Sequence, residues 1–152
     1  MSVHADAAKL VLQAYADGEV DVLDQLHSRT YVEHSPLPGQ GAGPAGLRER
    51  AMIISSAFYD SRVSAQVLVD NGDTVVLQVR CRGVHKGEFY GFAATGRWIQ
   101  AVGICVFRFV DGLVAETWSS FEIQGLLQHL TEPRNYAETS RAMSRAMQSN
   151  LA

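Results

Sequence analysis

The spacing of apolar residues changes period once along this chain, after Tyr59. Upstream, apolar side chains recur three and four residues apart. Ala7, Leu10, Val11, Ala14 and Tyr15 form one stripe, and Leu47, Ala51, Ile54 and Phe58 form another. Downstream they recur at every second position. Val63, Ala65, Val67 and Val69 alternate with Ser64, Gln66 and Asp70; Val75, Leu77, Val79 and Cys81 alternate with Gln78, Arg80 and Arg82. Asn71-Gly72 and Asp111-Gly112 are hairpin signals, since the tight turns that suit twisted strands need positive φ. Helices followed by an antiparallel meander specify an α+β fold, with helices on one side of a curved sheet.

The same reading sets element boundaries. A first helix runs from about Ala5 to Ala16 and stops at Gly18. Asp21 caps a short helix from Val22 to His27. Tyr31-Val32-Glu33-His34 reads as a short extended piece, and the Pro/Gly-rich stretch Ser35 to Pro44 as a loop. A third helix precedes the meander. The strand Trp98 to Val110 is apolar on both faces between Ala101 and Phe107, so it belongs in the middle of the sheet. Leu113 to Glu122 returns beside it. Tyr136 to Met147 is read as a C-terminal helix, with residues 1–152 one domain and a core of about 5–130.

Composition excludes some classes. The 152 residues are 47% hydrophobic and 19% charged, with a net charge of -3, which suits a globular core and does not suit nucleic-acid binding. No apolar run is long enough to span a membrane, and the N-terminus lacks the pattern of a signal peptide, so a cytoplasmic protein is expected. Cys81 and Cys105 lie in strand-like apolar runs and read as buried reduced thiols. The histidines have no ligand spacing, so no metal site is expected.

The residue with the most chemistry is Glu122, at the junction of an apolar strand-like run and an apolar helix-like run. Trp118, Ser120 and Glu122 share a strand face. A carboxylate aimed into an apolar pocket has a raised pKa, which is how a general acid/base is made. Its structural alternative is an ion pair with Arg80 or Arg82.

Four stretches carry a family likeness. Gly83-Val84-His85-Lys86-Gly87-Glu88-Phe89, Ala94-Thr95-Gly96-Arg97, Phe107-Arg108-Phe109-Val110-Asp111-Gly112 and Trp118 to Leu130 together resemble the SnoaL-like polyketide cyclases. The likeness spans roughly Leu10 to Leu130. It implies the NTF2-like cone: a bent antiparallel sheet and helices around a deep pocket. Glu122 stands where that family usually carries aspartate.

The likeness implies a cofactor-independent enzyme that closes a ring in a bulky apolar intermediate. On this reading Glu122 moves the proton, while His85 and the phenols of Tyr15 and Tyr59 polarise oxygen. His34, Trp118, Phe92, Phe107 and Arg80 are the candidates to line or anchor the substrate. Each has a plainer reading as a core, rim or solvated side chain. The same pocket would serve epoxide opening, and the fold also serves as a ligand carrier or dimerisation module. A hydrophobic small molecule is the expected partner, with a homodimer formed through the exposed sheet face.

Overall fold

A computed structural model describes residues 2–122, together with Leu130 and Arg145. Helix α1 (Val3–Asp17) opens on Ser2, whose hydroxyl accepts the Ala5 N–H at 3.1 Å. It ends at Gly18, whose φ of 71° is the left-handed cap that the sequence indicates. Its stripe buries Ala8, Val11 and Ala14. Helix α2 (Val20–Leu26) starts two residues earlier than expected, and Glu19 rather than Asp21 precedes it. Asp21 lies in its first turn, where a carboxylate favours the positive end of the helix dipole. Helix α3 (Gly43–Ala57) buries Leu47 and Ala51. Phe58 falls outside it and begins the next strand.

The meander is β2 (Phe58–Asp70), β3 (Thr74–His85), β4 (Trp98–Val110) and β5 (Leu113–Phe121). Neighbouring strands pair antiparallel, and β4 sits in the middle of the sheet order β1-β5-β4-β3-β2, as its doubly apolar centre requires. Register shifts between Tyr59 and Arg62, between Val67 and Val69, and at Arg108/Phe109 mark bulges, which bend a sheet.

One strand departs from the expected all-antiparallel sheet. Strand β1 (His27–Glu33) is longer than the extended piece read from sequence, and it pairs parallel with β5. It is an edge strand. Only His27 and Tyr31 on it are buried, so its apolar alternation is too sparse to announce it. The proposed helix from Tyr136 to Met147 lies outside the described residues, apart from Arg145.

The core lies between the helices and the inner face of the sheet. Val75, Leu77 and Val79 of β3, Cys105, Phe107 and Phe109 of β4, and Val114 of β5 pack with Ala8, Val11 and Ala14 of α1. Gly103 pairs with Phe121 across β4 and β5, and a Cβ there would lie 2.6 Å from the Phe121 ring. Glycine at this position lets the ring lie over the inner face.

Candidate functional site

A charged and polar cluster sits inside this apolar interior. Strand alternation puts Tyr31 and Glu33 of β1 on one face. On α3, Arg50 shares the stripe of Leu47, Ala51 and Ile54, so its guanidinium is delivered inward. Arg50 Nη1 donates to Glu33 Oε1 at 3.2 Å, with the two side chains 11% and 9% exposed. The same nitrogen reaches Ser35 O and Gln40 Oε1, each at 3.4 Å. Thr117 of β5 donates its hydroxyl to Glu33 Oε2. The guanidinium lies 5.3 Å from the centre of the Tyr15 ring. The elements α1, β1, α3, β5 and the loop 34–42 thus meet at one point.

Burial governs the electrostatics here. Desolvation raises the Glu33 carboxyl above its ordinary range, and the opposing pull of Arg50 only partly offsets it. Desolvation also pushes the Tyr31 phenol to about 12, helped by Glu33, and raises Tyr15 further. Both phenols are therefore neutral hydrogen-bond donors at any physiological pH. Tyr31 Oη, Gln40 Nε2 and Arg50 Nε are buried without a hydrogen bond of ordinary length, and the Tyr31 phenol lies close enough to Tyr15 and Gln40 for weak hydrogen bonding with both. Leaving a buried donor unmade costs about 1–3 kcal/mol, so a cluster with several is costly unless it has a use.

His85 forms a second interior site at the far end of β3. The strand keeps its register through Gly83, so His85 shares the face of Val75, Leu77, Val79 and Cys81, and it is 0% exposed. The Thr95 N–H donates to its Nδ1 at 3.2 Å. A nitrogen that accepts cannot carry the proton, so the tautomer is fixed with hydrogen on Nε2. Nε2 is buried with no partner. Burial lowers the pKa of the ring, which sits 5.6 Å from Phe58, so His85 is a neutral donor.

The remaining candidates separate. Phe107 is a core residue on the inner face. Phe92 is half-buried and pairs with Phe89 in an isolated bridge. Tyr59 is exposed. Arg80 faces outward, opposite Val102, and is solvated rather than directed into the cone. Trp118, Ser120 and Glu122 do share a face, but it is the outer one, because Thr117, Ser119 and Phe121 take the inner positions against Phe107, Cys105 and Gly103. Trp118 stacks on His34 at 4.4 Å there instead of walling the cone. Glu122 is exposed just past β5, its N–H donating to Val102 O, and the apolar surroundings expected for it are absent among the described residues.

The sequence reading missed Glu33, Arg50, Tyr31, Gln40 and Thr117. An arginine on the buried stripe of α3 was the signal available for Arg50. For Tyr31 and Glu33 it was their spacing of two in an extended piece.

Cys81 and Cys105 are free thiols, raised by burial to about 11 and about 12. Among the described residues no cluster of His, Cys, Asp or Glu could hold a metal ion, and no helix is long and apolar enough to cross a membrane. An open groove of about 720 Å³ lined by His4, Asp73, Arg108 and Asp111 lies at the hairpin end of the sheet, away from both interior sites.

A bent five-stranded sheet with helices across its inner face, holding polar groups in the enclosed core, defines the NTF2-like class of α+β proteins. Residues 5–130 match the SnoaL-like polyketide cyclase family, and the chain belongs to it. The aklanonic acid methyl ester cyclase DnrD of Streptomyces peucetius is 25% identical over 139 residues, covering 88% of this chain and 94% of that protein. AcmA of Streptomyces galilaeus, a cyclase of the same name, is 27% identical over 136 residues, covering 88% and 94%. TsrD from Streptomyces laurentii superposes with a TM-score of 0.70 at 25% identity, covering 83% of this chain and 96% of that one. The chain is an enzyme of the cyclase type.

Proposed function

We propose that this enzyme closes a ring in a bulky, largely apolar polyketide-like molecule by general acid/base catalysis without a cofactor. One observation carries the reading: a carboxylate, a guanidinium and neutral phenols are buried together in an otherwise apolar interior. Ring closure of the aldol type needs these parts. A carboxylate takes a proton from carbon next to a carbonyl, the enolate carbon bonds to a second carbonyl, and the new alkoxide recovers the proton. Glu33, with its raised pKa, is a stronger base than an exposed glutamate and is matched to proton transfer nearer neutrality. Arg50, Tyr15 and Tyr31 are placed to stabilise negative charge on oxygen, and the fixed Nε2–H of His85 offers a second anchor. Glu122 is the rival carboxylate.

Turnover of aklanonic acid methyl ester, the substrate named for its relatives, separates the two. Glu33→Gln is expected to lower kcat by about 10²-fold or more, with Glu122→Gln changing it less than about tenfold. The reverse ranking transfers the proton step to Glu122. Full activity in both variants removes the acid/base reading.

The reading includes a homodimer through the outer sheet face, where Trp98, Ile104 and Trp118 are exposed. Light scattering on the purified protein tests it; a monomer at micromolar concentration excludes it.

A further inference from the structure

We infer that a second copy of this chain docks on the outer sheet face about a two-fold axis running along β4, so that Arg80 of each copy meets Glu122 of the other. The inference rests on the homodimer reading for the occupant, and on strand register for the axis. Arg80 and Glu122 are both exposed, and neither makes an ion pair among the described residues. They flank the same residue of the central strand. Arg80 pairs with Val102 from β3, and from the other side the Glu122 N–H donates to Val102 O at 3.0 Å.

The next two rows of the outer face repeat the arrangement. Ile104 has Gln78 on one side and Ser120 on the other, and Val106 has Val76 and Trp118. A two-fold axis along β4 exchanges the flanks of every row. It sets guanidinium against carboxylate in the first row, amide against hydroxyl in the second and an aliphatic side chain against an indole in the third, each twice. Val102, Ile104 and Val106 lie on the axis and meet their own copies. The result is an apolar spine with polar contacts beside it, the pattern of an interface core and rim. Ile104 and Trp118 are 38% and 37% exposed in the single chain, so there is apolar surface to cover. Sheets packed face to face lie about 10 Å apart, a gap that an arginine and a glutamate span together.

The other aligned packing of two such faces has its axis across the strands. That axis keeps β3 opposite β3 and β5 opposite β5. The outward residues of β3 include Val76, Gln78, Arg80 and Arg82 and no carboxylate, so Arg80 would be covered without a countercharge. An unpaired charge in an interface is costly. Register therefore selects the axis along β4. Arg108, further along the same axis, is already neutralised by Glu116 of its own chain.

The test is sedimentation velocity on the full chain at micromolar concentration. Wild type is expected to be a dimer. Arg80→Glu and Glu122→Arg each place two like-charged pairs in the interface and are expected to raise the dissociation constant at least about tenfold. The double variant Arg80→Glu/Glu122→Arg restores opposite charges and is expected to return within about threefold of wild type. A wild-type dimer unmoved by either single change, or a double variant no tighter than the singles, overturns the axis and leaves the dimer reading standing. A monomeric wild type overturns both and leaves the face to another occupant. Association is read and not turnover, so no outcome depends on which carboxylate moves the proton.

Discussion

The molecule contains two arginine–glutamate pairs, one between a helix and an edge strand on the inner side of the sheet and one between β4 and β5 on its outer side, and they behave in opposite ways. Inside, Arg50 bonds Glu33 of β1 beside an aromatic ring, and the side chains are 11% and 9% exposed. Outside, Arg108 bonds Glu116 of β5, which also takes His34 Nε2–H at 3.2 Å, and His34 stacks on Trp118. The chemical partners are the same. Yet Glu33 is raised above the ordinary carboxylate range by desolvation, while Glu116 is held below it by its hydrogen bonds to Arg108 and His34. An arginine partner therefore does not fix the direction of a carboxylate's shift. Water decides whether the partner or the burial wins. The proposed proton transfer draws on the inner pair, whose carboxyl is raised, and the outer pair belongs to the surface.

The sharpest break between the pairs is in stability. Arg50→Met leaves Glu33 buried without its cation, and such a loss costs about 3–5 kcal/mol. Arg108→Met leaves Glu116 in water, and its unfolding curve is expected to superpose on that of wild type within error. Urea denaturation of both variants reads this directly. Equal midpoints for the two would mean that Glu33 is hydrated in solution, and the contrast between the faces would fall.

A second, smaller contrast is in the pH dependence of stability. Between the ordinary carboxylate range and the raised value of Glu33, the folded protein holds a proton the unfolded chain has released. Glu33 therefore makes stability fall as pH rises through that window. For Glu116 the sign reverses. Between its lowered value and the ordinary range the unfolded chain holds the extra proton, so its contribution is lost as pH falls. Comparing wild type with Glu33→Gln and with Glu116→Gln across pH 3 to 8 should give difference curves of opposite slope. Slopes of one sign would refute the assignment of burial to Glu33.

These two faces also mark what the sequence could disclose. The period change at Tyr59 and the two hairpin signals were enough for the helices and the meander, because alternation is strong on strands that bury one whole face. Strand β1 escaped because it is an edge with only His27 and Tyr31 buried. At the site, Tyr15 and His85 were reachable from their positions on apolar stripes. Trp118 and Glu122 were correctly put on one face, but alternation alone does not say which face is inner. That is decided by Phe107 and Cys105 opposite Thr117 and Ser119, a matter of register across the sheet. The Arg50–Glu33 contact joins a helix to an edge strand 17 residues away, and no local pattern encodes it.

The smallest effect separates the causes of the two shifts. Glu116 is displaced by charged and hydrogen-bonding partners at the surface, and added salt screens such partners. At 1 M the Debye length is about 3 Å, against about 10 Å at 0.1 M. Glu33 is displaced first by desolvation, which mobile ions do not screen because they do not enter the core. Carboxyl carbon shifts followed by NMR through a pH titration resolve both residues. Raising NaCl from 0.1 to 1 M is expected to move the Glu116 midpoint upward toward the ordinary range. The Glu33 midpoint is expected to stay in place. If Glu33 moves with salt as much as Glu116, its surroundings are wet, and the interior loses the property on which the proposed base depends.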